Sequence, residues 1–80
     1  MTLDKLPLKH PSVIQTVGGE KVLRCRLLDM GLIPGTTVSI QKTAPMGDPI
    51  ELLVRGYRLT LRKADAAQIT VAYPEGGVQK

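Results

Sequence analysis

The sequence predicts a mainly β fold, in which five short strands are joined by tight turns and one helix is inserted between them. Three observations support this prediction. Short runs of β-branched and aliphatic residues alternate with polar residues, as in strands that bury one face. Gly and Pro separate these runs and favour turns. One longer stretch instead shows the apolar spacing of a helix.

The helix is predicted over about residues 20–30. This stretch is rich in helix formers, and Leu23, Leu27 and Met30 fall at i, i+4 and i+7, so they share one face. Gly31 follows as the left-handed residue with which many helices end. The helix is therefore expected to pack one apolar face on the sheet and to stop sharply.

The strands are predicted from alternation and from the turns between them. In chain order they cover residues 13–17, 37–41, 50–54, 57–61 and 69–73, with a short helical turn at 62–67 before the last. Arg55 and Gly56 connect the clearest hairpin, and Tyr57 begins a strand whose alternate residues are predicted to point inward. Five strands this short hide all their edges only by curling, which predicts a small SH3-like barrel.

Length and composition fit a single domain over residues 1–80, with an ordered core at about 6–73 and a frayed tail at 74–80. No apolar run approaches the roughly 18 residues of a membrane-spanning helix, and the N-terminus lacks a signal-peptide pattern. A cytoplasmic protein is therefore expected.

The single Cys25 is expected to be a reduced thiol that fills space, and redox sensing is its alternative role.

Several motifs, in order along the chain, resemble the FeoA family of bacterial ferrous iron transport proteins. They are RLLDMGLIPGT at 26–36, APMGDPI at 44–50, VRG at 54–56 and LTLRK at 59–63. The segment 9–11 departs from the family, because a glycine-containing turn is expected there.

The resemblance implies an SH3-like barrel and a free-standing cytosolic accessory of FeoB, a membrane ferrous iron transporter whose cytosolic part binds GTP. Such an accessory would dock on FeoB, or on a second copy of itself, and would reach the inner membrane only through this partner. Two alternatives remain open. One is a metal-responsive ligand-binding module like the barrel attached to metal-dependent repressors, and the other is a small barrel that binds nucleic acid.

Reactive side chains are too few for a predicted catalytic or metal site. The chain has one histidine, one cysteine and seven acidic residues, and it lacks a glycine-rich phosphate loop. We expect no enzyme activity, no cofactor, no dedicated metal site and no small-molecule substrate. Nucleic-acid binding is disfavoured, because Tyr57 and Tyr73 are predicted to point inward and to leave the hairpin arginines without stacking platforms.

The surface is then the expected site of action, and its expected partner is a protein. Protein interfaces favour apolar residues and arginine over lysine and glutamate. The candidate partner-binding residues are Arg24, Leu28, Leu32, Ile33, Leu53, Arg55 and Arg58, followed by Met46 and Asp48 in the loop 44–49. The prediction is an apolar docking patch bordered by arginine, without insertion into the membrane.

Overall fold

The computed structural model describes residues 1–72 and confirms a mainly β fold with one principal helix. The elements in chain order are a 3₁₀ turn (Leu3–Lys5), β1 (Ser12–Val17), α1 (Lys21–Asp29), β2 (Thr37–Thr43), β3 (Ile50–Val54), β4 (Tyr57–Leu61), α2 (Lys63–Ala66) and β5 (Ile69–Val71). The predicted strands and helical segments are present with small shifts of their bounds. Tyr73 and the tail 74–80 lie outside the described residues. No helix within residues 1–72 has the length and apolarity required to cross a membrane.

The strands form one antiparallel sheet in the order β4-β3-β2-β1-β5. The sheet curls, because the inward side chains of all five strands share one core. No ladder of hydrogen bonds joins β4 to β5 among residues 1–72, so the SH3-like barrel is open along this seam. The expectation that curling hides every strand edge was therefore too strong, since β4 and β5 remain the two ends of the sheet.

One aliphatic core lies inside the curled sheet. Its buried members are Leu3, Leu6, Ile14, Leu27, Leu32, Val38, Ile40, Ile50, Leu52, Val54, Leu61, Ala66, Ile69 and Val71. The helix α1 contributes the buried Leu27, with Leu23 and Met30 packed against the core as predicted. Leu3 and Leu6 were not predicted as core residues, and they make the N-terminal segment part of the barrel. Each buried aliphatic side chain contributes about 1.5–3 kcal/mol.

The predicted turn chemistry after α1 is confirmed. Gly31 has a φ of +97°, which is the left-handed conformation expected at the helix end. The backbone N–H of Leu32 donates to the carbonyl of Leu27 at 3.2 Å, and the Leu32 side chain folds back into the core. The turn 33–36 then closes with a 3.0 Å hydrogen bond between its end residues, and Gly35 in it has a φ of +93°.

The segment 9–11, where the family resemblance led us to expect a glycine-containing turn, does turn without glycine. Lys9 holds a φ of +64°, and its N–H donates to the carbonyl of Ile40 at 2.7 Å. This bond fastens the N-terminal segment to β2. A left-handed residue other than glycine costs roughly 1–2 kcal/mol, so the surrounding contacts hold Lys9 in this conformation.

The inward-facing position predicted for Tyr57 was expected to hide its ring, and this expectation was wrong, because the residue is 43% exposed. It is the first residue of β4, where alternation still selects the inward face but the core no longer covers it. Its hydroxyl donates to the backbone carbonyl of Met30 at the end of α1. Tyr57 therefore ties the β3–β4 hairpin to the helix.

Candidate docking surfaces

The outer face of the β3–β4 hairpin carries the predicted pair Leu53 and Arg58. The two residues are partners across the strands, and alternation turns both away from the core. Leu53 is half-buried, and the Nη1 atom of Arg58 lies 3.0 Å from Oε2 of Glu51. Exposed ion pairs contribute only about 0–1 kcal/mol, so this pair adds little to the stability of the fold. We call Leu53 and Arg58 the hairpin face.

A surface pocket of about 300 Å³ lies at the end of β3 nearer the loop 44–49. Its lining residues are Lys42, Thr43, Ala44, Pro45, Pro49, Ile50, Glu51 and Thr60. Met46 is 92% exposed in the same loop. Oδ1 of Asp48 accepts a hydrogen bond from the backbone N–H of Lys63 at 2.9 Å, which ties the loop to the start of α2. The carboxylate of Asp48, which was predicted to bind a partner, thus also makes a contact within the fold.

The remaining hairpin candidate, Arg55, lies at the turn beyond the other end of β3. Arg55 has a φ of +51° and Gly56 a φ of +87°, the signs that a type I′ turn requires. Since β3 has five residues and a strand rises about 3.4 Å per residue, this turn lies roughly 15 Å from the loop 44–49. Arg55 and Met46 therefore occupy opposite ends of the hairpin.

The candidates on and after α1 form a second area. Arg24 is exposed and Leu28, one helical turn later, is half-buried. Ile33 is partly exposed after the helix end. Leu32 is fully buried, with 0% of its surface exposed, so it cannot contribute to a docking surface. The reason is its fold-back onto the last helical turn, which places its side chain in the core. We call Arg24 and Leu28 the helix patch.

The two areas belong to different elements. The helix α1 packs on the core through Leu27, whereas alternation turns Leu53 to the outer face of the sheet. That Leu28 and Leu53 form a single patch stays a prediction. The pocket beside Thr60 was not predicted, and the two prolines that bound the loop 44–49 were its only signal in the sequence.

Among residues 1–72, no three His, Cys, Asp or Glu side chains come close enough together to hold a metal ion. Cys25 is exposed on α1. Its exposure contradicts the expectation that this thiol fills space in the core. Ion pairs in the described part of the chain involve arginine or lysine with Asp65 or Glu51 at the surface.

The fold defines a small SH3-like barrel, and its described residues form two candidate surfaces and one surface pocket. The FeoA domain family matches residues 1–73, and the chain belongs to this family. A relative from Porphyromonas gingivalis, the Fe(2+) transport protein A/Fe(2+) transporter FeoB fusion protein, is 38% identical over 71 residues. The match covers 89% of this chain and 8% of that relative, so the chain spans only a small part of the relative's length.

Solved structures show the same fold. An FeoA-like protein from Clostridium acetobutylicum is 38% identical, with a TM-score of 0.84 over 91% of this chain and 85% of that one. FeoA from Stenotrophomonas maltophilia, complexed with zinc and described as a procaryotic SH3 domain protein, is 29% identical. It has a TM-score of 0.79 over 90% of this chain and 89% of that one. The SH3-like fold predicted from the strands is thereby confirmed.

Proposed function

We propose that this chain is a cytoplasmic accessory protein of bacterial ferrous iron uptake that docks on the FeoB transporter. The observation that supports this most directly is the P. gingivalis relative, in which a segment 38% identical to this chain belongs to the same protein as FeoB. Two domains in one polypeptide remain close together, which favours an interaction between them. This chain makes the same interaction with FeoB, and docking changes the transporter's GTPase cycle or assembly.

The hairpin face, Leu53 with Arg58, is the proposed primary docking surface. It combines a half-buried leucine with an exposed arginine whose Nη1 lies 3.0 Å from Oε2 of Glu51. Apolar residues and arginine are the residue types that protein interfaces favour. Arg55 lies at one end of this face and Met46 and Asp48 lie beyond the other, where they extend the contact. The helix patch is the competing surface.

A binding measurement with charge-matched variants separates the two surfaces. Full-length FeoB from the same bacterium, in lipid nanodiscs, is immobilised, and the affinity of the wild-type chain is compared with two double variants. One carries Leu53→Glu and Arg58→Glu, and the other carries Val22→Glu and Arg24→Glu in α1. Both change the net charge equally. Val22 is strongly exposed, so the second pair leaves the core intact.

We expect the hairpin variant to bind at least about tenfold more weakly, since a buried charge and a lost arginine contact each cost about 1.4 kcal/mol or more. The helix variant should bind like the wild type. Loss of affinity in the helix variant alone would move the docking surface to Arg24 and Leu28. Absence of any binding by the wild-type chain would contradict the proposed function itself. Circular dichroism and thermal unfolding establish that both variants are folded.

A second candidate, a metal-responsive module, is favoured by one observation: the S. maltophilia relative was solved in complex with zinc. Within residues 1–72 the present chain brings together no group of three metal-binding side chains of the types His, Cys, Asp and Glu. Anaerobic calorimetric titration with Fe²⁺ and with Zn²⁺ tests this candidate. Saturable binding at micromolar concentration would support it, and no heat of binding up to millimolar metal would remove it.

A further inference from the structure

The two ends of the sheet differ in how they are covered. At β5, Thr2 forms a bridge with Thr70, and the N–H of Val71 donates to the carbonyl of Met1 at 2.8 Å. The N-terminal residues therefore cover the edge of β5. At β4, no backbone hydrogen bond from any of residues 1–72 reaches the outer side of the strand. Among residues 1–72, main-chain contacts therefore cover the outer edge of β5, and none covers the outer edge of β4.

The register of the β3–β4 hairpin shows which backbone groups lie on this free edge of β4. The turn has two residues, and Val54 and Tyr57 face each other across it. In such a hairpin the pair next to the turn exchanges both hydrogen bonds, and every second pair repeats this. The N–H and C=O groups of Tyr57 and Leu59 therefore bond to β3, and those of Arg58 and Thr60 point away from it. Both of these residues are exposed.

The pocket lies beside this edge. Thr60 belongs to both, since its backbone N–H and C=O point away from β3 and the residue lines the pocket together with Pro45, Pro49 and Ile50. A strand that pairs with Arg58 and Thr60 would direct alternate side chains to the face on which the pocket opens. In binding by strand addition, main-chain hydrogen bonds supply affinity and such a pocket supplies specificity. Half of the lining is apolar and suits an apolar side chain, and the other half is polar: the apolar residues are Ala44, Pro45, Pro49 and Ile50, and the polar ones are Lys42, Thr43, Glu51 and Thr60.

The charge around the edge indicates the character of the added strand. Arg55 precedes β4 by two residues, and Arg62 and Lys63 follow it directly. Neither Arg55 nor Arg62 forms an ion pair with an acidic residue among residues 1–72. The whole chain carries a formal charge of +4. Cationic groups at both ends of the strand favour a segment with acidic residues that flank its paired part.

We propose that the free edge of β4 binds an extended, acidic segment of FeoB by strand addition, with one apolar side chain of that segment in the pocket beside Thr60. This inference rests on the proposed function, because it names the part of the partner that docks. It also gives a reason to expect weaker FeoB binding after Arg58→Glu, since Arg58 lies on the strand that receives the acidic segment.

A proline substitution on the edge strand tests the proposal. Thr60→Pro removes an outward N–H and obstructs an incoming strand, but it leaves the bonds of Leu59 and Leu61 to β3. Thr60→Val is the matched control, because it keeps the N–H and the side-chain volume. Binding to full-length FeoB in nanodiscs is measured for both. We expect at least about a tenfold loss of affinity for Thr60→Pro and less than about a twofold change for Thr60→Val.

Hydrogen–deuterium exchange of the wild-type chain supplies a test that needs no variant. The amides of Arg58 and Thr60 should exchange rapidly in the free chain and slowly when FeoB is bound. If the wild type binds FeoB but the segment 57–61 gains no protection and Thr60→Pro binds normally, strand addition is wrong and the proposed function stands. If the wild type does not bind FeoB, both strand addition and the proposed function are wrong.

Hydrogen–deuterium exchange also tests whether another segment of this chain, instead of FeoB, pairs with the edge of β4. A variant that lacks residues 73–80 is compared with the full chain, both without FeoB. Equal, rapid exchange over residues 57–61 would agree with an edge kept for the partner. Slow exchange in the full chain that becomes rapid in the shortened one would show that the chain's own C-terminal segment pairs with β4, which would overturn the proposal.

Discussion

Arg55 holds a left-handed backbone conformation, with a φ of +51°, in the two-residue turn between β3 and β4. In this conformation a residue other than Gly, Asn or Asp costs roughly 1–2 kcal/mol of stability. Asn followed by Gly is the preferred pair for a turn of this type. Arg55→Asn should therefore raise the free energy of unfolding by about 0.5–1 kcal/mol, or Tm by about 2–8 °C. Urea unfolding should show a higher midpoint with an unchanged slope.

The control for this prediction is Arg55→Val. A β-branched side chain is poorly tolerated at positive φ, so this substitution should lower the unfolding midpoint below that of the wild type. Equal midpoints for the valine and asparagine variants would contradict the backbone explanation. They would indicate instead that the Arg55 side chain makes a stabilising contact.

Gly31 and Gly35 separate the cost of backbone conformation from the cost of a close contact. Both have positive φ, but a Cβ at Gly31 would collide with the hydroxyl of Tyr57, and a Cβ at Gly35 would meet no atom within 4 Å. We expect Gly35→Ala to cost about 1 kcal/mol of stability and Gly31→Ala about 2–3 kcal/mol. Thermal unfolding of the single variants measures the difference.

The double-mutant cycle with Tyr57→Phe examines the cause of that difference. Without the hydroxyl, the collision and the hydrogen bond to Met30 are both absent, so Gly31→Ala should cost nearly as little as Gly35→Ala. The coupling energy between Gly31 and Tyr57 is expected to be about 1 kcal/mol. A coupling of zero would mean that the extra cost of Gly31→Ala does not come from the Tyr57 hydroxyl.

At the level of elements, the N-terminal segment is a structural part of the barrel. The Leu3–Lys5 turn buries Leu3 completely, and the same segment leaves Leu8 50% exposed. Leu3→Ala should therefore destabilise the protein by about 2–4 kcal/mol, the usual cost of a cavity left by a buried leucine. Leu8→Ala serves as the control and should change stability by less than about 0.5 kcal/mol. Comparable losses in both would contradict the packing described for this segment.

The elements that the sequence predicted well are those encoded by local chemistry. The hairpin at Arg55 and Gly56 and the helix end at Gly31 depend on residues a few positions apart, so alternation and turn preferences suffice. The burial of Leu3 depends on contacts with elements far along the chain. A 3-residue turn is also too short to show the hydrophobic periodicity by which helices and strands are predicted. Tyr57 was misjudged because alternation gives the direction of a side chain and not the extent of the core above it.

At the level of the whole molecule, the same distinction applies to the candidate site. The sequence identified Leu53 and Arg58 as outward residues, because a strand has only two faces. It could not show how Leu28 lies relative to these two residues, since this depends on how α1 packs on the core. The pocket beside Thr60 likewise arises only when the ends of β2 and β3, part of the loop 44–49 and Thr60 of β4 come together. Tertiary packing, and not residue type, determines which candidates can act together.

The fused relative suggests a test of docking that uses iron transport itself. A flexible linker holds two domains at an effective concentration of about a millimolar, so a tenfold loss of intrinsic affinity no longer empties the site. The Leu53→Glu, Arg58→Glu variant should fail to support ferrous iron uptake as a separate protein. The same variant fused to FeoB should restore most of the uptake, measured with radioactive Fe²⁺ in cells that lack the native accessory protein.

The wild-type chain fused through the same linker controls for effects of the fusion, and a linker too short to reach the docking surface controls for geometry. Rescue with the long linker alone would mean that the two residues act by binding, because proximity replaces only the affinity they supply. If the fused variant transports as poorly as the separate one, Leu53 and Arg58 must contribute to a step after docking. The hairpin face would then act on the transporter's cycle in addition to holding the two proteins together.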